Sequence, residues 1–175
     1  MSLLTLADGR VSVLASGVTG TAGSSPDSTR LMLGQPETDA QGLTRLAWKA
    51  FPVSGGPPGA TLRLPSQAID LAWTPDGRGL SYRNRADANL NVYRQGEDGK
   101  PVQVTRFTEG RLTSHAWSPD GKRLALAVRA DEGGNVWVTE ADGSRPIQVT
   151  RLPRPTSSAS AGFPTAGGSP SRPAS

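Results

Sequence analysis

His115 is the only histidine, and so the one side chain whose ordinary charge change falls near neutral pH. It stands two residues before Trp117. In a similar stretch earlier in the chain the equivalent position is Leu71. A residue that replaces a core leucine is expected to be packed or to line a pore, not to serve as a general base. Nor does any Gly-x-Ser-x-Gly elbow present a serine nucleophile, so neither that turn nor a triad is expected. No P-loop and no Gly-x-Gly-x-x-Gly segment is available to cradle phosphates. Asp87-Ala-Asn-Leu-Asn91 imitates the start of a calcium loop, but Val92 stands where the loop needs glycine, and no glutamate closes it. The chain has no cysteine, which excludes disulfides, thiolate metal sites and thiol nucleophiles. Asp76, Asp98, Asp120 and Asp142 all fall at turn positions, where a short carboxylate bonds nearby backbone, so they are expected to build turns. With no positioned acid, base, nucleophile or metal set, the expectation is a non-enzyme with no catalytic, cofactor or metal residues.

These residues sit in a repeat. Leu71-Ala-Trp-Thr-Pro-Asp-Gly-Arg78 returns as His115-Ala-Trp-Ser-Pro-Asp-Gly-Lys122, with the prolines 44 residues apart. Pro101-Val-Gln-Val-Thr-Arg106 returns as Pro146-Ile-Gln-Val-Thr-Arg151, 45 residues apart. A degenerate copy, Thr21-Ala-Gly-Ser-Ser-Pro-Asp-Ser28, is read with Gly23 in place of the Trp and Ser28 in place of the turn glycine.

One period reads as four short strands. Apolar residues ending at Trp117 form the first, and Ser118-Pro-Asp-Gly121 turns the chain. Leu124-Ala-Leu-Ala-Val128 reads as a buried second strand without alternation, and Asp131 to Asn135 as a loop. Val136 to Thr139 forms a third strand. Ala141-Asp-Gly-Ser144 is a hairpin signal, and Ile147 to Thr150 alternates as an outer edge strand with one wet face. The middle copy repeats this order. Leu3 to Leu6 and Val11 to Leu14 read as the last two strands of a preceding blade. No segment has the length and 3.6-residue period of an amphipathic helix. Trp73 and Trp117 close first strands while Trp48 and Trp137 lie on third strands, so all four are expected to pack between blades.

A period of about 45 residues with four strands per unit is β-propeller arithmetic. The expected architecture is all-β: about three four-stranded antiparallel blades plus a partial one, in an incomplete ring. Residues 1–20 are expected to end a preceding blade, 21–66 to form the degenerate and least ordered blade, and 67–110 and 111–152 to form regular blades. Residues 153–175, rich in Pro, Ser, Ala and Gly, read as a disordered tail.

The Trp-Ser-Pro-Asp-Gly-Lys turn with its following Asp-Gly hairpin resembles the WD-like repeats of TolB-type propellers. Similar repeats occur in the sensor regions of bacterial serine/threonine kinases and in propellers of the prolyl oligopeptidase family. Residues 110–137, with Val104-Thr-Arg-Phe107 before them, most resemble the kinase-attached type. The resemblance implies a bacterial, non-catalytic module for protein binding or sensing. Its alternative is the regulatory part of a kinase or peptidase whose catalytic domain lies elsewhere. By family analogy the compartment is periplasmic or otherwise extracytoplasmic, although the first residues do not form a signal peptide. Propellers of this type have roughly 6–8 blades. Three blades therefore suggest a fragment of a larger protein, or self-association through exposed blade faces.

Composition is compatible with this reading. Apolar residues make up 35% of the chain, enough for a core, while 21 glycines and 15 prolines in 175 residues imply many tight turns. The longest aliphatic run, Leu124 to Val128, is far short of the ~20 residues of a membrane span, so no insertion is expected. The net charge of +4 is dispersed: residues 1–69 hold five basic and four acidic groups, residues 70–99 four and five, and residues 100–154 nine and six. No face collects the charge and no aromatic-basic motif accompanies it. Nucleic acid is therefore not expected as a partner; a protein partner is what the resemblance implies.

Overall fold

The computed structural model describes residues 2–4, 11–59, 61–130 and 133–152. Among them the only regular elements are strands, and no helix is long and apolar enough to cross a membrane. β1 (Ser2–Leu4) and β2 (Val11–Val13) pair as an antiparallel hairpin. Three four-stranded antiparallel sheets follow, each an open meander in chain order. The first holds β3 (Gly20–Ser24), β4 (Arg30–Thr38), β5 (Thr44–Pro52) and β6 (Thr61–Leu62). The second holds β7 (Ala68–Trp73), β8 (Gly79–Asn84), β9 (Val92–Gly96) and β10 (Pro101–Gln103). The third holds β11 (Arg111–Trp117), β12 (Arg123–Ala130), β13 (Gly133–Glu140) and β14 (Ile147–Gln148).

The repeated turn does more than reverse the chain. In each blade a hydroxyl before the proline binds the turn aspartate: Ser25 with Asp27, Thr74 with Asp76, and Ser118 with Asp120. The same hydroxyl accepts the backbone N–H that opens the next strand, at Arg30, Gly79 and Arg123. Each aspartate also accepts an N–H two residues on, from Thr29, Arg78 and Lys122. Successive turns then stack. A Cβ on Gly121 would meet the Pro75 ring at 2.5 Å, and one on Gly77 would meet the Arg30 guanidinium at 3.1 Å. The glycine is thus required by the neighbouring blade as well as by its own positive φ.

These hydrogen bonds set an acid dependence. The Ser25 hydroxyl first, then the Thr29 N–H, hold the Asp27 carboxyl down to about 2 from an ordinary 3.8. Ser118 holds Asp120 low in the same way. A folded-state pKa below the unfolded one contributes stability above the unfolded value and loses it as pH falls through the folded value. Stability should therefore drop between about pH 4 and pH 2. Asp27→Asn should flatten that loss in urea titrations at the two ends of the range. An unchanged slope would show that the turn carboxylate is not the titrating group.

A second repeated device ends the outer strands of the second and third blades. Asn91 Oδ1 accepts from Thr105 Oγ1 at 2.8 Å and from the Phe107 N–H at 2.8 Å, while Thr105 Oγ1 accepts the Val92 N–H. Asn135, Thr150, Leu152 and Val136 repeat the same bonds. This is the physical role of the recurring Val-Thr-Arg.

Apolar clusters join the blades. Met32, Trp48, Trp73 and Leu80 bind the first sheet to the second. Leu90, Val92 and Val104 meet Leu124, Leu126 and Val128 between the second and third. The tryptophans pack as expected. Trp48 and Trp73 share one cluster, Trp117 and Trp137 flank the other, and Trp137 meets Phe107 edge-on at 5.6 Å.

Several details differ from the sequence reading. Ser24, not Gly23, occupies the tryptophan position of the first blade, since Ser24 pairs with Leu31 as Trp73 pairs with Leu80. Gly23 instead lies in a bulge at φ 80°. That blade contains the longest ladder, the nine-residue strands β4 and β5. Gly133 to Asn135 belong to β13 instead of a loop, with Gly133, at a φ of 118° open to glycine, paired to Ala130 and Gly134 to Arg129. β12 does alternate: Leu124, Leu126 and Val128 are buried against the second blade, while Ala125 and Ala127 on its other face are only half-buried. β14 is two residues long, and its wet face carries the apolar side chain, with Ile147 65% exposed. Residues 5–10, between the first two strands, and all of the tail lie outside the described residues.

Candidate functional site

The inner strands of all three blades contain a register shift. In β7 it places Asp70 at φ 53°, a bulge that re-aims the side chain toward the third blade. There Asp70 Oδ2 lies 3.2 Å from His115 Nδ1 and accepts from Arg83 Nε at 2.9 Å. His115 Nε2 lies 2.9 Å from Ser81 Oγ, which also accepts from Trp117 Nε1 at 2.8 Å. Arg83 continues the link by donating to the Leu112 carbonyl at 2.6 Å.

Asp70, His115 and Ser81 are therefore connected like an acid, base and nucleophile. The sequence reading found no triad because the three residues are 34 and 45 positions apart on two blades. A signal was nevertheless present. Position by position, Ser81 stands where the first blade has Met32, and His115 where the second has Leu71. Met32 and Leu71 belong to one apolar cluster at the first joint. The second joint has exchanged that apolar pair for a polar one.

The environment distinguishes this group from a working triad. Ser81 is 0% exposed, the His115 side chain is 0% exposed, and the Trp117 indole is bonded to the hydroxyl. A substrate carbonyl would have to displace Trp117 and open the joint. With its proton on Nδ1, His115 donates to Asp70 and accepts from Ser81, so every polar atom of the group is satisfied. The His115 hydrogen bond, opposed by burial and aided by Arg83, holds the Asp70 carboxyl below the usual range. The expected packed role for His115 matches its placement.

The remaining sequence candidates fall in turns. Asp98 and Asp142 accept backbone N–H groups from Lys100 and Ser144. Asp87 of the calcium-like stretch accepts from the Asn89 N–H and the Asn91 amide. Among the described residues no group of three or more His, Asp or Glu side chains is placed to hold a metal.

A second feature was not legible from spacing. Between the 106–111 connection and the third blade lies a cleft of about 1420 Å³. Phe107 and Trp137 form its apolar part, with Arg106, Arg111, Arg129 and Glu109 around them. The three arginines are exposed, and among the described residues their side chains form no ion pair or hydrogen bond.

No family model and no curated protein matches the sequence. Solved structures do. TolB from Acinetobacter baumannii superposes with a TM-score of 0.59 at 20% identity, over 85% of this chain and 37% of that one. A putative TolB from Agrobacterium tumefaciens gives 0.59 at 25% identity, over 86% and 55%. A prolyl endopeptidase gives 0.57 at 18% identity, over 84% of this chain and 25% of its own. The chain thus spans well under two thirds of each of these structures. Its fold is that of a TolB-like β-propeller, represented by three open blades.

Proposed function

We propose that the chain is a non-catalytic propeller segment that acts by binding another protein, within a ring larger than these three blades. The sealed state of Ser81 carries this reading. Among the described residues, the constellation able to do acyl chemistry is consumed in joining two blades, whereas the accessible cleft offers aromatic groups and cationic groups with no described partner, both suited to recognition. The likeness to TolB propellers, of which the chain spans 37% and 55%, supports the larger ring.

Two measurements test it. A fluorophosphonate probe should leave Ser81 unmodified in the folded protein. Selection from a displayed peptide library should enrich sequences whose synthetic peptides bind saturably. Labelling that disappears in Ser81→Ala, accompanied by ester turnover, would make the chain an enzyme. A library that yields no saturable binder would remove the protein-binding role.

A further inference from the structure

We infer that the cleft between the 106–111 connection and the third blade receives an extended, acidic peptide segment of a partner, with an apolar side chain seated on Phe107 and Trp137. The inference deepens the protein-binding reading and rests on it. Size favours a chain segment: about 1420 Å³ exceeds the roughly 300–1,000 Å³ typical of small-molecule pockets.

Charge selects the sequence class. Arg106, Arg111 and Arg129 reach the cleft from three places: the connection, the start of β11 and the end of β12. Arg83, by contrast, is already held by Asp70 and the Leu112 carbonyl, and Lys49 by Glu37. Guanidinium groups without a carboxylate bind one readily and in bidentate fashion. Glu109 is the single described counter-charge in the lining. It would orient the segment by repelling carboxylates from its own corner.

The floor argues for a peptide over a nucleic acid. Phe107 and Trp137 meet edge to face at 81° and are both partly buried, so they do not offer the parallel ring faces on which bases stack. They can still take a phenyl or aliphatic side chain. Beside them the Asn89 and Gln148 amides already donate to the Gly110 and Thr150 carbonyls, which leaves their amide oxygens to accept peptide N–H groups.

The test uses the whole protein and the fluorescence of its tryptophans, of which Trp137 lines the cleft. Glu-Glu-Phe-Glu-Glu should bind saturably, and Lys-Lys-Phe-Lys-Lys should not. Binding of the acidic peptide should weaken as salt is raised, because exposed charge pairs are screened. The Arg106→Ala, Arg129→Ala double variant should raise Kd by about tenfold, the range of two partly exposed ion pairs. Lys122→Ala, in a turn outside the cleft lining, should leave Kd unchanged. Equal affinity for the two peptides, or an unchanged Kd in the arginine variant, would overturn the inference. Tighter binding of oligothymidylate than of the acidic peptide would overturn it in favour of nucleic acid. If library peptides bind but are neutral or basic, the acidic cleft fails while protein binding stands. If no peptide binds at all, the broader reading fails with it.

Discussion

Gly143→Ala should prise the third blade from the second. Gly143 lies in the hairpin between β13 and β14 at φ 82°, and a Cβ there would sit 1.8 Å from the Val104 carbonyl oxygen and 2.8 Å from its carbon. Neither partner can yield as a flexible side chain would, because both are backbone. Val104 is itself buried, and its N–H is bonded to the Val92 carbonyl. Overpacking of this kind costs about 1–3 kcal/mol, and a side chain forced into the left-handed region adds about 1–2 kcal/mol. Gly99→Ala is the control. It has a similar φ of 70°, but nothing lies within 4 Å of its added Cβ, so only the conformational cost applies. Urea midpoints should fall further for Gly143→Ala than for Gly99→Ala. Equal losses would mean that the inter-blade contact at Gly143 carries no stability of its own.

The second large effect lies at the polar joint. His115→Leu removes one partner each from Asp70 and Ser81, although Arg83 and Trp117 still hold them. The loss should be about 1–3 kcal/mol, the cost of under-satisfied buried polar groups. Ser81→Met should cost more, since it strands the Trp117 indole N–H and adds volume to a closed site. The double variant recreates the Met32 and Leu71 pairing of the first joint and should lose less than the two single variants combined. A coupling of about 0.5–3 kcal/mol is expected for groups in direct contact. Recovery should be partial, because Trp73 at the first joint donates to the Gly23 carbonyl, whereas in the double variant the Trp117 indole has to be re-aimed to the equivalent Ala72 carbonyl, which Ser81 Oγ contacts in the native chain. Strict additivity across the cycle would show that the two positions do not act as a pair.

Much of this architecture could be read from the chain because the repeat carries its own punctuation. The Pro-Asp-Gly turns, the Asp-Gly hairpins and the recurring tryptophans fix the number and order of strands through purely local chemistry. Other features depend on what faces each strand in space. The alternation of β12 emerges only once Leu124, Leu126 and Val128 meet the second blade. The partnership of Asp70, His115 and Ser81 joins side chains on different sheets and leaves only a faint trace, two correlated departures from the repeat. The cleft is still less legible, for its arginines lie on three segments and appear in sequence as dispersed charge. The match of Ser24 to the tryptophans is legible by counting, since it stands two residues before Pro26 as Trp73 does before Pro75, whereas the bulge that sets Gly23 at a positive φ leaves no such mark.

The asparagine-threonine fastening also accounts for an irregularity of spacing. The turn prolines recur at 44 residues and the Val-Thr-Arg segments at 45, so the third blade has one residue more between these landmarks. Asn91 lies 14 positions from Thr105, whereas Asn135 lies 15 from Thr150, and yet the same bonds close in both blades. The surplus residue is absorbed within the outer hairpin and does not reach the next connection. The fastening therefore works as a gauge: it decouples the length of a blade's rim from the placement of its successor, so insertions at the edge are tolerated without loss of registration around the ring.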